Sequence, residues 1–182
     1  NMRNQLGLIA FLFVAATISL ACVQWDGGGN NVSVEGEMTK KTLDLDDFTG
    51  IGLSLSANVY VKQGSRQSVE IEARESVIEN ITKEVSNDYW KISFKRSMRN
   101  YDKITIWVTI PTLEKLSVSG SGDILGESAF DDLDELKLNV SGSGNIRLEA
   151  EADETNCVVT GSGNITLKGS ADCQKVSVTG SG

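Results

Sequence analysis

Apolar and polar positions alternate along much of this chain, and toward its C-terminal end the alternation repeats around one tripeptide. Gly-Ser-Gly begins at Gly120, Gly142, Gly161 and Gly180, at intervals of 22, 19 and 19 residues. The flanks repeat as well: Leu116-Ser-Val-Ser-Gly-Ser-Gly-Asp-Ile124, Leu138-Asn-Val-Ser-Gly-Ser-Gly-Asn-Ile146, Cys157-Val-Val-Thr-Gly-Ser-Gly-Asn-Ile165 and Val176-Ser-Val-Thr-Gly-Ser-Gly182. Each copy holds inward-type residues four and two places before its first Gly, and the first three add an Ile four places after it. Period two on either side of a Gly-containing turn is a strand signature. A unit of this length fits one coil of a β-solenoid, whose coils pair along the axis and stack their apolar positions into a shared core. The expected fold class is all-β, a parallel β-helix or β-solenoid.

In that register the recurring clusters are corner turns, formed by Gly120, Gly122 and Asp123, by Gly142, Gly144 and Asn145, by Gly161, Gly163 and Asn164, and by Gly180 and Gly182. Gly accepts positive φ at no steric cost, and Asp or Asn tolerates the left-handed region and bonds its own backbone. Asp123, Asn145 and Asn164 are therefore expected to form a ladder along the axis. Cys157 takes the inward slot of Leu116, Leu138 and Val176, whereas Cys173 lies three positions out of line with it. A disulfide needs Cα atoms within about 7 Å, so the two are expected to stay unbridged. After Gly182 the pattern requires Asp or Asn and then Ile, which implies a truncated reading frame.

Between residues 42 and 111 the tripeptide is absent but alternation persists. Ile51-Gly-Leu-Ser-Leu55, Val59-Tyr-Val61, Val69-Glu-Ile-Glu-Ala73, Trp90-Lys-Ile-Ser-Phe94 and Ile104-Thr-Ile-Trp-Val-Thr-Ile110 each place apolar residues on one face. Gly64-Ser65, Asn87-Asp88 and Asn100-Tyr-Asp102 read as turns. Glu75 to Ile81 is the one segment with helical spacing. Pro111 closes the last strand and the repeats begin directly after it, so residues 42–182 read as one domain on a continuous sheet.

Phe48-Thr-Gly-Ile-Gly52, Asn58-Val-Tyr-Val-Lys-Gln-Gly64, Val69 to Ala73, Ile104 to Pro111 and the repeated Ser-Gly-Ser-Gly-Asp/Asn-Ile, in this order, resemble the GIN-domain family of auto-transporter adhesin heads. The resemblance covers about residues 42–182. It implies an exported lipoprotein with a right-handed β-helical domain and no catalytic residues to carry over.

The N-terminus bears on location. Arg3, an apolar run from Leu6 to Ala21 and small residues before a break compose a secretory signal, so residues 1–21 read as a signal peptide. The run is shorter than the roughly 20 residues that span a bilayer. Ser19-Leu20-Ala21-Cys22 resembles a bacterial lipobox, although Leu20 sits one place late. Cys22 is then the lipid attachment site and the membrane partner is reached through the lipid. Residues 22–41, with Trp25-Asp-Gly-Gly-Gly-Asn-Asn31, read as a flexible tether. Val rather than Asp at position 23 favours the outer membrane of the cell envelope.

Charge and composition narrow the chemistry. Losing Arg3 with the leader takes 17 basic residues to 16 against 25 acidic ones, a net charge of −9. Nucleic-acid binding wants a basic face, so no nucleic-acid partner is expected. The chain has no His, which removes Ser-His-Asp and Cys-His catalysis and imidazole metal sites together. The glycines lack the third Gly of a dinucleotide loop, and the period is about twice that of a calcium-binding β-roll. No cofactor, metal or catalytic residue is expected. Asp131, Asp132, Asp134 and Glu135, in the extra residues of the longest unit, leave one alternative: a carbohydrate-active β-helix enzyme. A solvated acidic loop explains them more simply. Outward hydroxyls at Ser119, Ser141, Thr160 and Thr179 form a stripe that strand preference alone accounts for. The chain is therefore expected to be a non-enzymatic envelope lipoprotein, structural or with an extended surface for adhesion to a protein or glycan.

Overall fold

The computed structural model describes residues 33–182, so the expected signal peptide, Cys22 and most of the expected tether lie outside the described residues. The chain forms β1 (Met38–Leu43), β2 (Gly50–Leu53), β3 (Asn58–Gln63), β4 (Ser68–Arg74), α1 (Glu75–Asn80), β5 (Val85–Ser86), β6 (Tyr89–Ile92), β7 (Thr105–Ile110), β8 (Lys115–Val118), β9 (Asp123–Val140), β10 (Ile146–Val159) and β11 (Ile165–Val178). All eleven strands join one curled sheet in the order β1-β4-β7-β3-β9-β8-β2-β6-β5, with β10 on β9 and β11 on β10. The curl comes from β9. Its first residues pair with β3 and its last with β8, so one bent strand links both sides around the core.

This corrects the expected architecture. The sheet is mixed: β1/β4, β4/β7 and β5/β6 are antiparallel, while the remaining pairs are parallel. The protein is a curled half-barrel sheet and not a right-handed parallel β-helix. The reason lies in the connections. Asn87 and Asp88 both adopt positive φ, 52° and 55°, and a two-residue turn of that kind joins antiparallel strands. β4 also inserts beside β7 against the direction of its neighbours, with α1 following it directly.

Alternation places the core. In β7 the residues Ile106, Val108 and Ile110 are buried while Thr105, Trp107 and Thr109 face outward. Trp90 is fully buried, packs 5.6 Å from Phe48 and donates its indole N–H to the Thr82 carbonyl at 2.9 Å. Its burial is consistent with that bond, because a buried indole N–H needs an acceptor. Helix α1 turns Val77 and Ile78 inward. At its end, buried Asn80 donates to the Arg96 carbonyl at 2.7 Å and accepts from the Arg96 N–H at 3.0 Å.

β1 begins at Met38, inside the stretch expected to be tether. It is held to β4 by the backbone ladder, with Lys40 Nζ 3.0 Å from Glu70 and Lys41 Nζ 2.7 Å from Glu75 on the adjoining helix.

Candidate functional site

The corner residues read from the sequence come together in one column. β8, β9, β10 and β11 align Leu116 with Leu138, Leu138 with Cys157, and Cys157 with Val176. At the corners Ser143 and Gly144 donate to the Gly120 carbonyl, Ser162 and Gly163 to that of Gly142, and Ser181 to that of Gly161. Asn145 donates its backbone and side-chain N–H groups to Asp123 Oδ1 at 2.9 and 2.7 Å. Asn164 repeats this on Asn145 Oδ1 at 3.1 and 3.2 Å.

The reason for glycine differs from the sequence argument. Among these corner glycines only Gly180 has positive φ, and Asp123, Asn145 and Asn164 are not left-handed. What excludes a side chain is close stacking: a Cβ on Gly144 would sit 1.8 Å from the Gly122 carbonyl oxygen, and one on Gly163 equally close to that of Gly144. The glycines let one corner backbone rest on the next.

A further corner escaped the sequence reading. Leu53 aligns with Val118, Asn58 with Asp123 and Val59 with Ile124. Ser54-Leu55-Ser56-Ala57 thus lies beneath Ser119-Gly120-Ser121-Gly122, with Leu55 and Ala57 buried where the later corners carry Gly. Ser56 donates its N–H to the Tyr101 hydroxyl at 3.1 Å. Matching spacing around Ser, Asn and Val was the available signal, but substitution of both glycines hid it.

The exposed hydroxyls Ser119, Ser141, Thr160 and Thr179 run along this corner, and Ser119 bonds Ser54 Oγ at 3.1 Å. Cys157 is buried and its thiol pKa is pushed up by that burial; Cys173 is exposed, and both are free thiols.

The acidic run is placed differently from the expectation. Register shifts lie between Arg147 and Glu149 and between Ala150 and Ala152 of β10. Opposite them, β9 absorbs two extra residues between Leu125 and Ala129 and one between Phe130 and Leu133. The longer unit is therefore a bulged strand rather than an inserted acidic loop. Gln63 secures the bulge, accepting from the Asp131 N–H and donating to the Asp131 carbonyl, both at 3.0 Å. Asp132, Asp134 and Glu135 border a cleft of about 480 Å³ that Lys115 and Lys137 also line. Lys137 pairs with Glu135 at 2.5 Å. Among the described residues no group of three or more Cys, Asp or Glu is arranged to hold a metal ion.

An outward row crossing the sheet carries a different chemistry. Glu70, Trp107, Tyr60, Leu125, Arg147 and Thr166 stand on neighbouring strands in register. The Tyr60 and Trp107 rings lie 6.2 Å apart at an interplanar angle of 18°. Lys40 Nζ sits 4.2 Å from the centre of the Trp107 ring. Both residues are partly exposed, so an aromatic pair reaches solvent on this face of the sheet.

Residues 47–182 match the family described as "Putative auto-transporter adhesin, head GIN domain". No curated protein is similar to the chain. Among solved structures, a protein of Parabacteroides distasonis described as a putative lipid binding protein superposes with a TM-score of 0.73 at 20% identity. The match covers 81% of this chain and 65% of that one, so this chain spans less than two thirds of that protein's length. A putative adhesin of the same organism matches with a TM-score of 0.64 at 23% identity, over 81% of this chain and 72% of its own. One from Parabacteroides merdae gives 0.59 at 17%, over 84% and 97%. At these identities the structural likeness concerns the fold.

Proposed function

This chain belongs to the auto-transporter adhesin head GIN-domain family, and on that footing we propose that it is a non-enzymatic envelope protein whose outer sheet face binds a surface glycan or protein. The observation that carries this reading is the solvent-facing Tyr60–Trp107 pair, with Lys40 over the Trp107 ring. Aromatic rings offer an apolar face for sugar C–H groups or apolar side chains, and they do so with few rotatable bonds to order. On a sheet that is fixed by hydrogen bonds from both sides, such a pair is preorganised. The protein reaches the membrane through lipid on Cys22, with an outer-membrane location.

Binding is tested on glycan and matrix-protein arrays with the Cys22→Ser protein and its Tyr60→Ala/Trp107→Ala double variant. Binding that the double variant loses supports the aromatic face. Binding retained by the variant places recognition elsewhere, and no binding by either rejects the adhesive reading in favour of a structural envelope role. Palmitate incorporation by wild type and not by Cys22→Ser tests the anchor.

The cleft bordered by Asp132, Asp134 and Glu135 with Lys115 and Lys137 favours a second reading, a carbohydrate-active enzyme, because carboxylates facing a basic group are what polysaccharide cleavage requires. Incubation with a panel of acidic and neutral polysaccharides distinguishes the two: new reducing ends or unsaturated products would establish the enzyme.

A further inference from the structure

The net charge of −8 conceals a local charge of the opposite sign. Between β6 and β7, residues 95–103 hold Lys95, Arg96, Arg99 and Lys103 against Asp102 alone. All four cations are exposed. Among the described residues none of them pairs with a carboxylate, and the Asp102 carboxylate is engaged by Arg74 Nε instead. Helix α1 adds Glu79 nearby, but Lys95 Nζ donates to its backbone carbonyl at 3.0 Å and not to its carboxylate.

The loop is pinned from beneath. Met98 is buried, and the Phe94 and Tyr101 rings meet edge to face at 4.9 Å. Asn80 bonds both backbone groups of Arg96, and the Tyr101 hydroxyl accepts from the Ser56 N–H. Apolar and backbone groups thus hold the segment to the protein while its cations stand in solvent. Like charges fixed close together repel one another, and an anionic partner relieves that repulsion.

The chain enters the fold beside this loop. Arg74 donates from Nη1 to the Gly36 carbonyl at 2.9 Å while its Nε engages Asp102, so one side chain touches both the entering segment and the loop. The Glu75 and Ser76 N–H groups donate to the Glu37 and Glu35 carbonyls at 3.2 and 3.3 Å, which lays residues 35–37 along the start of α1. The acids of that segment, Glu35 and Glu37, lie on the entering chain and not on the loop. Cys22 precedes Ser33 by 11 residues, no more than about 40 Å of extended chain. A lipid on Cys22 therefore keeps this end of the molecule close to the membrane.

We propose that residues 95–103 are a docking surface for anionic phospholipid headgroups and hold the α1 end of the protein against the membrane. Each Lys or Arg near an anionic leaflet strengthens attachment about fivefold, and a basic patch is the second signal that makes a single-chain lipid anchor stable. This surface goes beyond the reading of the Tyr60–Trp107 face. It takes the membrane from the Cys22 reading, so the patch is measured without the acyl chain and stands or falls separately from it.

The test is co-sedimentation of the full-length Cys22→Ser protein with vesicles. Mixed phosphatidylcholine–phosphatidylglycerol vesicles should bind it at least about tenfold more strongly than phosphatidylcholine alone. The difference should vanish near 1 M salt, where the Debye length is about 3 Å. Adding Arg96→Glu/Arg99→Glu/Lys103→Glu should weaken binding to the mixed vesicles at least about tenfold. The same charge change elsewhere, Lys62→Glu/Lys168→Glu/Lys175→Glu, should leave it within about twofold, since screening confines the attraction to groups near the surface. Glutamine at the three patch positions should give an intermediate loss, and it carries the test if the glutamate variant does not fold. Equal binding to both vesicle types would assign attachment to the apolar run Leu6 to Ala21 and overturn the proposal. So would equal losses in the two triple variants, or capture on a polygalacturonate resin without vesicle binding, which would make the occupant an acidic glycan.

Discussion

The C-terminal units and the segment before Pro111 build one core by opposite means. From Leu116 onward, successive strands repeat a single backbone path, so the corner glycines, the Asn ladder and the apolar columns recur at fixed offsets. Before Pro111 the same sheet is assembled from short strands of both directions, held by a hairpin, a helix and side-chain bonds unique to each place. Leu55 and Ala57 stand where the later corners have glycine because the level beneath them is not another stacked corner. The comparison separates what a repeat requires from what a core requires: both regions bury apolar columns, but only the repeat must let backbone rest on backbone.

Removing a large core side chain should be costly in either region. Trp90 is fully buried and bonded through its indole N–H, so Trp90→Ala should lose about 4 kcal/mol by denaturant unfolding. A loss under about 1 kcal/mol would mean the early segment contributes little to the cooperative fold. Next, glycine should matter in one region only. Gly163→Ala forces a Cβ to within 1.8 Å of the Gly144 carbonyl oxygen, and relief requires the stacked corners to separate, at a cost of about 3 kcal/mol. The reverse change at the hidden corner, Ala57→Gly, should cost only about 1 kcal/mol, from backbone entropy and one lost methyl. Equal effects at the two corners would erase the distinction drawn between them.

The ladder offers a smaller contrast. Asn145→Ala strips Asp123 of its side-chain donor and Asn164 of its acceptor, which should cost about 2 kcal/mol in this partly buried column. Asn58 occupies the matching place in the earlier corner, and among the described residues its side chain makes no hydrogen bond. Asn58→Ala should therefore change stability by under about 0.5 kcal/mol, measured in the same denaturant series.

These contrasts also explain what the sequence made legible. Recurrence announced the later corners, their register and the inward place of Cys157, because stacked strands demand the same residue at the same offset. Strand direction left no such trace. Alternation at Val69 to Ala73 looks the same whether β4 runs with or against β7, and extending the repeat's parallel geometry over residues 42–111 produced the wrong architecture. β1 was hidden because Met38-Thr-Lys-Lys-Thr-Leu43 faces mostly solvent and owes its order to β4, some 30 residues away in register. The aromatic row was hidden for a related reason. Tyr60 and Trp107 sit at outward positions between apolar neighbours, and only the β3/β7 register brings them side by side.

The smallest expected effect concerns acid, and it again divides the regions. The early segment is tied by Lys40–Glu70, Lys41–Glu75 and Arg74–Asp102, whereas the repeat region holds only the Lys137–Glu135 pair among the described residues. The Glu75 carboxyl is held below its ordinary pKa of 4.5, chiefly by the hydrogen bond from Lys41 and then by that cation's charge. A depressed folded-state pKa contributes stability that is present above the unfolded value and is lost as pH falls through the folded one. Glu75 thus supports folding above its ordinary value of 4.5 and loses that contribution as pH falls through its lowered folded-state value. Lys41, raised above 10.5 first by its bond to Glu75, adds stability that persists below that value and disappears as pH climbs beyond it. Because both groups are fully exposed, the shift in unfolding midpoint should be slight. Glu75→Gln should flatten the acid limb of the stability profile, while the same measurement on Glu135→Gln reports the repeat region alone. If amide exchange between pH 6 and pH 4 accelerates in β11 before it does in β1, charge pairing is not what ties the early strands down, and backbone pairing with β4 must suffice there as it does in the repeats.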